Sequence, residues 1–357
     1  MSTPQAQAPA QTRAPARAAG WRPAPGPVAC IGETMAAFVP EPVAPLDGAD
    51  LLRVRIAGAE SNVAVYLADH GVPVRWVSAV GDDPFGRRIV AEVAAAGVDV
   101  RGVRTDPRRP TGLLVKDPAP EGTGVHYYRR GSAASALGPD LLDDEAVRTA
   151  SLVHLSGVTP ALSPDCLALV TEALRTPPGE RPYSVSFDVN HRPALWSDDG
   201  MASTAGSVLH DLANRADITF VGLDEARALW GDELEAAGVR ALLPGPRILV
   251  VKDGAHEATA FDGAHVHAVP APKVDVVEPV GAGDAFAAGF LAGLLRGEDM
   301  VRTLRLGHLT AGAALRVSGD HGPLPGPARI AELLGTPPGE WGPDPSGEPL
   351  TSVFSRP

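Results

Sequence analysis

The sequence predicts an α/β fold: a doubly wound, mostly parallel sheet with helices on both faces, plus a small β-sheet lid. Three observations predict it. Short Val/Ile-rich runs alternate with segments of helical spacing along most of the chain, the pattern of a parallel sheet covered on both faces. The polar clusters at 188–192, 252–254 and 281–284 fall where such strands end, which is where these sheets bind ligands. Two stretches, 40–58 and 110–131, carry strand-like patches with no helix between them, and these are expected to pair as the lid.

Taken in order, residues 28–31 (VACI) form a short apolar run ending at a Gly-Glu turn, a buried strand. Residues 62–70 have helical spacing and stop at Gly71. A strand follows at 74–81 and a helix at 84–96, opened by Asp83-Pro84, a structural helix start. The second half repeats the rhythm, with strands at 152–157, 183–190, 218–221 and 247–254. Its helices are expected at 163–175, 203–214, 224–230, 284–296 and 300–317. The core therefore comprises 28–39, 59–109 and 132–335, and the lid 40–58 and 110–131. Residues 1–27 and 336–357, rich in Pro with Ala or Gly, are expected to be disordered tails.

The 357 residues carry a net charge of -12 with no lysine block, which excludes a general nucleic-acid surface. No apolar run reaches the roughly 18 residues of a membrane helix. Cys30 and Cys166 lie far apart without metal-ligand spacing and read as buried free thiols of a cytoplasmic protein. In so acidic a chain, individual cations matter to any anionic substrate. The lysines are only Lys116, Lys252 and Lys273.

Residues 278–290 read EPVGAGDAFAAGF. Gly281 and Gly283 permit a sharp turn with no Cβ in the way of a ligand. The turn delivers free N–H groups at a helix start, which binds phosphate. Asp284 would repel that phosphate unless it serves as a base toward a nucleophile attacking phosphorus. A plain capped helix start remains the alternative. In AGAESNVA (57–64), Glu60, Ser61 and Asn62 read either as hydroxyl-binding groups or as a helix cap.

Strand alternation would put Asp188, Asn190 and Arg192 of SFDVNHR on one face, as a ligand site or an edge salt bridge. Tyr127, Tyr128 and Arg129 offer apolar area, hydroxyls and a carboxylate fork, or an ordinary exposed strand. Lys252 ends an apolar strand before a glycine turn, facing a phosphate or solvent. His265 and His267 alternate with valine as surface strand residues. No G-x-S-x-G elbow and no Walker loop occurs.

Together these segments resemble the ribokinase-like (PfkB) family of sugar kinases, from about residue 28 to 334. AGAESN early and EPVGAGDAFAAGF late carry the match. YYRRGSAASAL, HLSGVTPALS, SFDVNHRPALW and SGDHGPLPG resemble in particular its 2-keto-3-deoxygluconate kinases. The resemblance implies ATP-dependent phosphorylation of the C6 hydroxyl of that sugar acid, with Mg²⁺ neutralising the nucleotide phosphates.

It implies Asp284 as base and the N–H groups of Gly281, Ala282 and Gly283 as an anion hole. Gly58, Ala59, Glu60, Ser61 and Asn62 would hold sugar hydroxyls. Tyr127, Tyr128 and Arg129 would hold the substrate from the lid, with Arg192 and Asp320 completing the pocket. Asn190, Arg192, Lys252, Asp253 and Gly254 would flank the nucleotide, and Glu225 would act indirectly on the metal. The expected assembly is a homo-oligomer, a dimer through the lid. The alternatives are a fructokinase, a ribokinase, a 2-keto-3-deoxygalactonate kinase, or a non-catalytic sugar or nucleotide sensor. Ala57-Gly58 replaces the family's Gly-Gly, Glu278-Pro279 its Asp-Thr, and the Asn of its Asn-x-x-Glu is Gly222 here.

Overall fold

A computed structural model describes residues 21–119, 122–197 and 204–341. The strands are β1 (Val28–Ile31), β2 (Met35–Pro40), β3 (Leu52–Ala57), β4 (Val74–Gly81), β5 (Val103–Asp106), β6 (Leu113–Ala119) and β7 (Gly122–Tyr128). They continue with β8 (Leu152–Ser156), β9 (Ser184–Asp188), β10 (Ile218–Gly222), β11 (Ile248–Asp253), β12 (Glu257–Asp262) and β13 (His265–Pro270). Nine form one sheet in the order β13-β12-β11-β10-β9-β8-β1-β4-β5. From β5 to β11 every pairing is parallel, and β12 and β13 add an antiparallel edge. Buried apolar residues form one cluster on each face of this sheet, against helices on both sides. The predicted doubly wound architecture is therefore the observed one.

Each predicted core strand and helix is present within a few residues. The spacing missed β5 and the helices Glu145–Arg148, Pro193–Ser197, Ala236–Leu242 and Pro327–Leu334, all too short to show a period. The helix Ala282–Arg296 is buried through most of its length. Its small residues let it approach the next helix, Met300–Leu315. A Cβ on Gly289 would lie 2.3 Å from Thr310 Oγ1 and 2.4 Å from the Leu306 carbonyl. Phe290, fully buried, stacks edge-on against Phe220 of β10. Burying such a ring stabilises by roughly 1.5–3 kcal/mol and fixes the N-terminus of this helix over the sheet's carboxyl edge.

The lid is a second sheet in the order β3-β2-β6-β7. Its predicted bounds need one correction: β2, assigned to the core, is a central lid strand, paired with β3 and β6. Strand alternation could not reveal this, because all of residues 35–37 are buried. The tails also need correcting where they are described. Arg22 donates to the Glu298 carbonyl at 2.8 Å, and the Arg247 guanidinium lies over the Trp21 ring. Trp341 is buried and donates to the Pro270 carbonyl. Residues 21–27 and 336–341 thus dock on the body. Residues 1–20 and 342–357 lie outside the described residues.

Candidate active site

The site sits where the carboxyl edge of the main sheet, the Ala282–Arg296 helix and the lid meet. Gly281, at φ +86°, turns the chain into that helix. A side chain there would be strained, and its Cβ would lie 3.2 Å from the Asp320 carbonyl. Among the described residues no acceptor lies opposite the N–H of Gly281, Gly283 or Asp284, while that of Ala282 reaches only weakly to Pro279 at 3.4 Å. These are the orphan donors of a helix start, the kind of terminus suited to an anion.

Asp284 is buried, and both its oxygens are anchored. Asn62 donates to Oδ2 and Asn190 to Oδ1, each at 3.0 Å. Burial pushes its carboxyl up to about 7, against the Asn62 hydrogen bond and the charges of Arg192 and Lys252, which pull it down. Asp188 pushes the same way as burial. A carboxyl at that value is poised to exchange protons near neutrality. Asn190 carries the site's backbone strain: among the described residues it is the one non-glycine at positive φ, +37°. That conformation aims its amide at Asp284, and such strain persists where surrounding contacts hold it.

Strand alternation past Asp188 does not hold. β9 ends at Asp188, and Asn190 reaches the site through its unusual backbone instead. Asp188 pairs with Lys252 Nζ at 2.7 Å. Burial opposes the Lys252 charge, but Asp188 and Glu225 outweigh it and its pKa lies above the ordinary value. A Cβ on Gly283 would stand 3.4 Å from Lys252 Nζ, so this lysine borders the glycine turn. Asp253 and Gly254 follow on the same strand end, with Asp253 facing His256.

Several expected binding residues point elsewhere. Glu60 is fully buried and accepts from Ser156 (2.7 Å) and Thr159 (2.9 Å). Burial raises its carboxyl against those bonds. Ser61 donates to the Gly58 carbonyl. Residues 58–61, Ala59 included, therefore form the scaffold of a helix start, and of residues 58–62 it is Asn62 that reaches Asp284 and Asp320. A Cβ on Gly58 would meet the Glu33 carbonyl at 2.4 Å, which explains the glycine by packing.

Tyr127 lines the inner lid face beside Leu114 and Met35, whereas Tyr128, 66% exposed, lies on the outer face. Adjacent strand residues face opposite ways, so the pair does not act together. Arg129 is buried in an ion pair with Glu33, which also accepts from Ser132. It is not the free carboxylate fork that its sequence suggested. Arg192 is 43% exposed and faces Glu225 at 3.7 Å. Glu225 in turn accepts from the Gly222 N–H at Oε2, at 2.9 Å, and so braces the start of the Leu223–Trp230 helix. Among the described residues no cluster of three His, Cys, Asp or Glu side chains forms a metal cage.

Asp320 joins the site, with Asn62 donating to Oδ2 (3.3 Å) and Lys116 to Oδ1 (3.4 Å). Lys116 and Glu33 were missed in the sequence. The signal for Lys116 was present: it shares a strand face with Leu114, the buried phase of β6.

An anion-binding turn beside a buried, near-neutral carboxyl, under a lid, defines a phosphoryl-transfer enzyme of the α/β class. The family model described as pfkB family carbohydrate kinase matches residues 27–326, and the chain belongs to that family. It is 36% identical over 283 residues to the 2-dehydro-3-deoxygluconokinase of Thermoproteus tenax, covering 78% of this chain and 85% of that one. It is 34% identical over 308 residues to the 2-dehydro-3-deoxygluconokinase of Bacillus subtilis, covering 85% and 94%. A solved structure of the uncharacterized sugar kinase PH1459 from Pyrococcus horikoshii in complex with ATP is similar at a TM-score of 0.72 and 25% identity. That match covers 82% of this chain and 93% of the other.

Proposed function

We propose that this ATP-dependent carbohydrate kinase phosphorylates the C6 hydroxyl of 2-keto-3-deoxygluconate, giving 2-keto-3-deoxy-6-phosphogluconate. The observation that carries the chemistry is Asp284, held by two asparagines at the mouth of an anion-binding turn. The names of the two curated relatives support the acceptor, since the 2-keto and 2-dehydro names describe one compound. Arg192, half-exposed beside this site, is the cation that an acidic chain needs to hold a sugar carboxylate.

In this reading the acceptor hydroxyl gives its proton to Asp284 as its oxygen bonds to the γ-phosphorus, and the bond to ADP breaks. The N–H groups of Gly281, Ala282 and Gly283 take up charge on the transferred group, and Lys252 flanks the nucleotide phosphates with Asn190, Asp253 and Gly254. Tyr127 and Asp320 border the acceptor. Mg²⁺ would neutralise phosphate charge. Because the chain builds no acidic cage among its described residues, the nucleotide's own oxygens would be its main ligands.

A cytoplasmic location and a lid-to-lid dimer belong to the same proposal. β3 and β7 are the lid's edge strands, and Tyr128 with half-buried Val54 and Val115 gives its outer face apolar area.

A panel of 2-keto-3-deoxygluconate, its galactonate epimer, fructose, ribose and further sugar acids, followed by ATP consumption, tests the reading. Highest kcat/KM for the gluconate form is expected. No preference for acids over neutral sugars would sink it, and binding without turnover would indicate a sensor.

A further inference from the structure

Lys116 is buried to 3% exposure, yet it belongs to the lid, on the central strand β6. Its ammonium lies 3.5 Å from Glu278 Oε2 and 3.4 Å from Asp320 Oδ1. Both partners belong to the core. Glu278 stands three residues before Gly281 of the glycine turn, where its Oε1 also accepts from the Val280 N–H at 3.2 Å. Asp320 shares the Asn62 amide with Asp284.

A continuous polar chain thus runs Lys116–Asp320–Asn62–Asp284–Asn190, from the lid to the base and on to the end of β9. The geometry points to Lys116 as a positioning residue: closing the lid delivers the cation that sets the orientation and charge environment of Asp284. The inference rests on the reading of Asp284 as the base.

The physical reason is charge balance. Glu278 and Asp320 are each buried to 8% exposure, and two buried carboxylates without a counter-charge are costly. With the lid lifted, Lys116 leaves both. Asp320 then competes with Asp284 for the Asn62 amide and adds a negative charge near it. Arg192, Asp188 and Lys252 also act on Asp284, but they stand on the core and do not move with the lid. Tyr66 faces the same carboxylates from the Ala59–Asp69 helix, and its phenol is pushed up to about 12, by burial first and by Asp69, Asp320 and Asp284. Lys116 is therefore the charge through which lid position reaches the base.

The test is the pH dependence of kcat/KM in full-length Lys116→Gln and Glu278→Gln, with Asp284→Asn as control. Loss of the Lys116 cation disfavours the Asp284 anion, so the acid limb should move up, by roughly one pH unit. kcat should fall at least about tenfold with the Kd for ADP little changed. Loss of the Glu278 anion should move the limb the other way. A filler role would lower stability without moving either limb.

A limb at its wild-type place in Lys116→Gln overturns the inference. So does an unmoved or upward limb in Glu278→Gln, which decides alone if Lys116→Gln does not fold. If Asp284→Asn keeps wild-type turnover, the base assignment itself fails and the coupling falls with it. If Asp284→Asn is inactive while both limbs stay put, only the coupling fails.

Discussion

Asp284→Asn separates the chemistry of this site from its cost. Asp284 is buried, and burial raises its carboxyl from 3.8 to about 7. The native state therefore favours the protonated form. That contribution is complete below pH 3.8 and is lost as pH rises through about 7. At pH 8 the ionised group costs the fold about 4 kcal/mol, three pKa units at 1.36 kcal/mol each. Asparagine removes the charge but keeps a single acceptor, while both Asn62 and Asn190 present N–H donors. One unmet donor returns about 1–3 kcal/mol of the gain.

The variant should therefore be more stable than the wild type by about 1–3 kcal/mol at pH 8, a Tm several degrees higher, with the advantage fading toward pH 5. Its kcat should fall by about 100-fold or more, the contribution of a general base, with nucleotide binding retained. Calorimetry across pH 5–8 and a coupled ADP assay measure both. Equal Tm differences at pH 5 and 8 would refute the charge argument. A kcat within tenfold of wild type would refute the base.

Three further outcomes follow from the same geometry. Arg192→Ala should raise the sugar-acid KM by roughly 10- to 100-fold, the worth of a charged hydrogen bond, and an unchanged KM would remove its role as carboxylate clamp. Arg129→Ala should act on stability instead, because it leaves the buried Glu33 charge unpaired at a cost of about 3–5 kcal/mol; a normal urea midpoint would contradict that. Tyr127→Ala should weaken acceptor binding while Tyr128→Ala, on the outer lid face, leaves steady-state kinetics untouched; equal effects would mean that the lid alternation does not govern the site.

The legible parts of the sequence were local. The Val/Ile strands, the helices between them and the lid patches announced themselves by period, since side-chain direction repeats every two residues in a strand and every 3.6 in a helix. The glycine turn before Asp284 was legible as a candidate anion site because only glycine enters a helix at φ +86° without strain. Local patterns failed where a residue's partner is remote. Glu60 and Ser61 looked like ligand groups, and only their neighbours at 156, 159 and 58 show them turned into the protein. Arg129 looked free until Glu33 was found against it.

The sequence by itself determined the fold class and the family resemblance and singled out Asp284 as the proposed base, because each depends on residues adjacent or evenly spaced along the chain. Tertiary structure alone decided which polar residues meet. Asn62 and Asn190, 128 positions apart, converge on one carboxylate. Lys116 crosses from the lid to Glu278 and Asp320, and β2 leaves the core for the lid. Pairings between distant positions leave no period in the sequence, and the burial that lifts Asp284 to about 7 arises only once distant segments have packed around it.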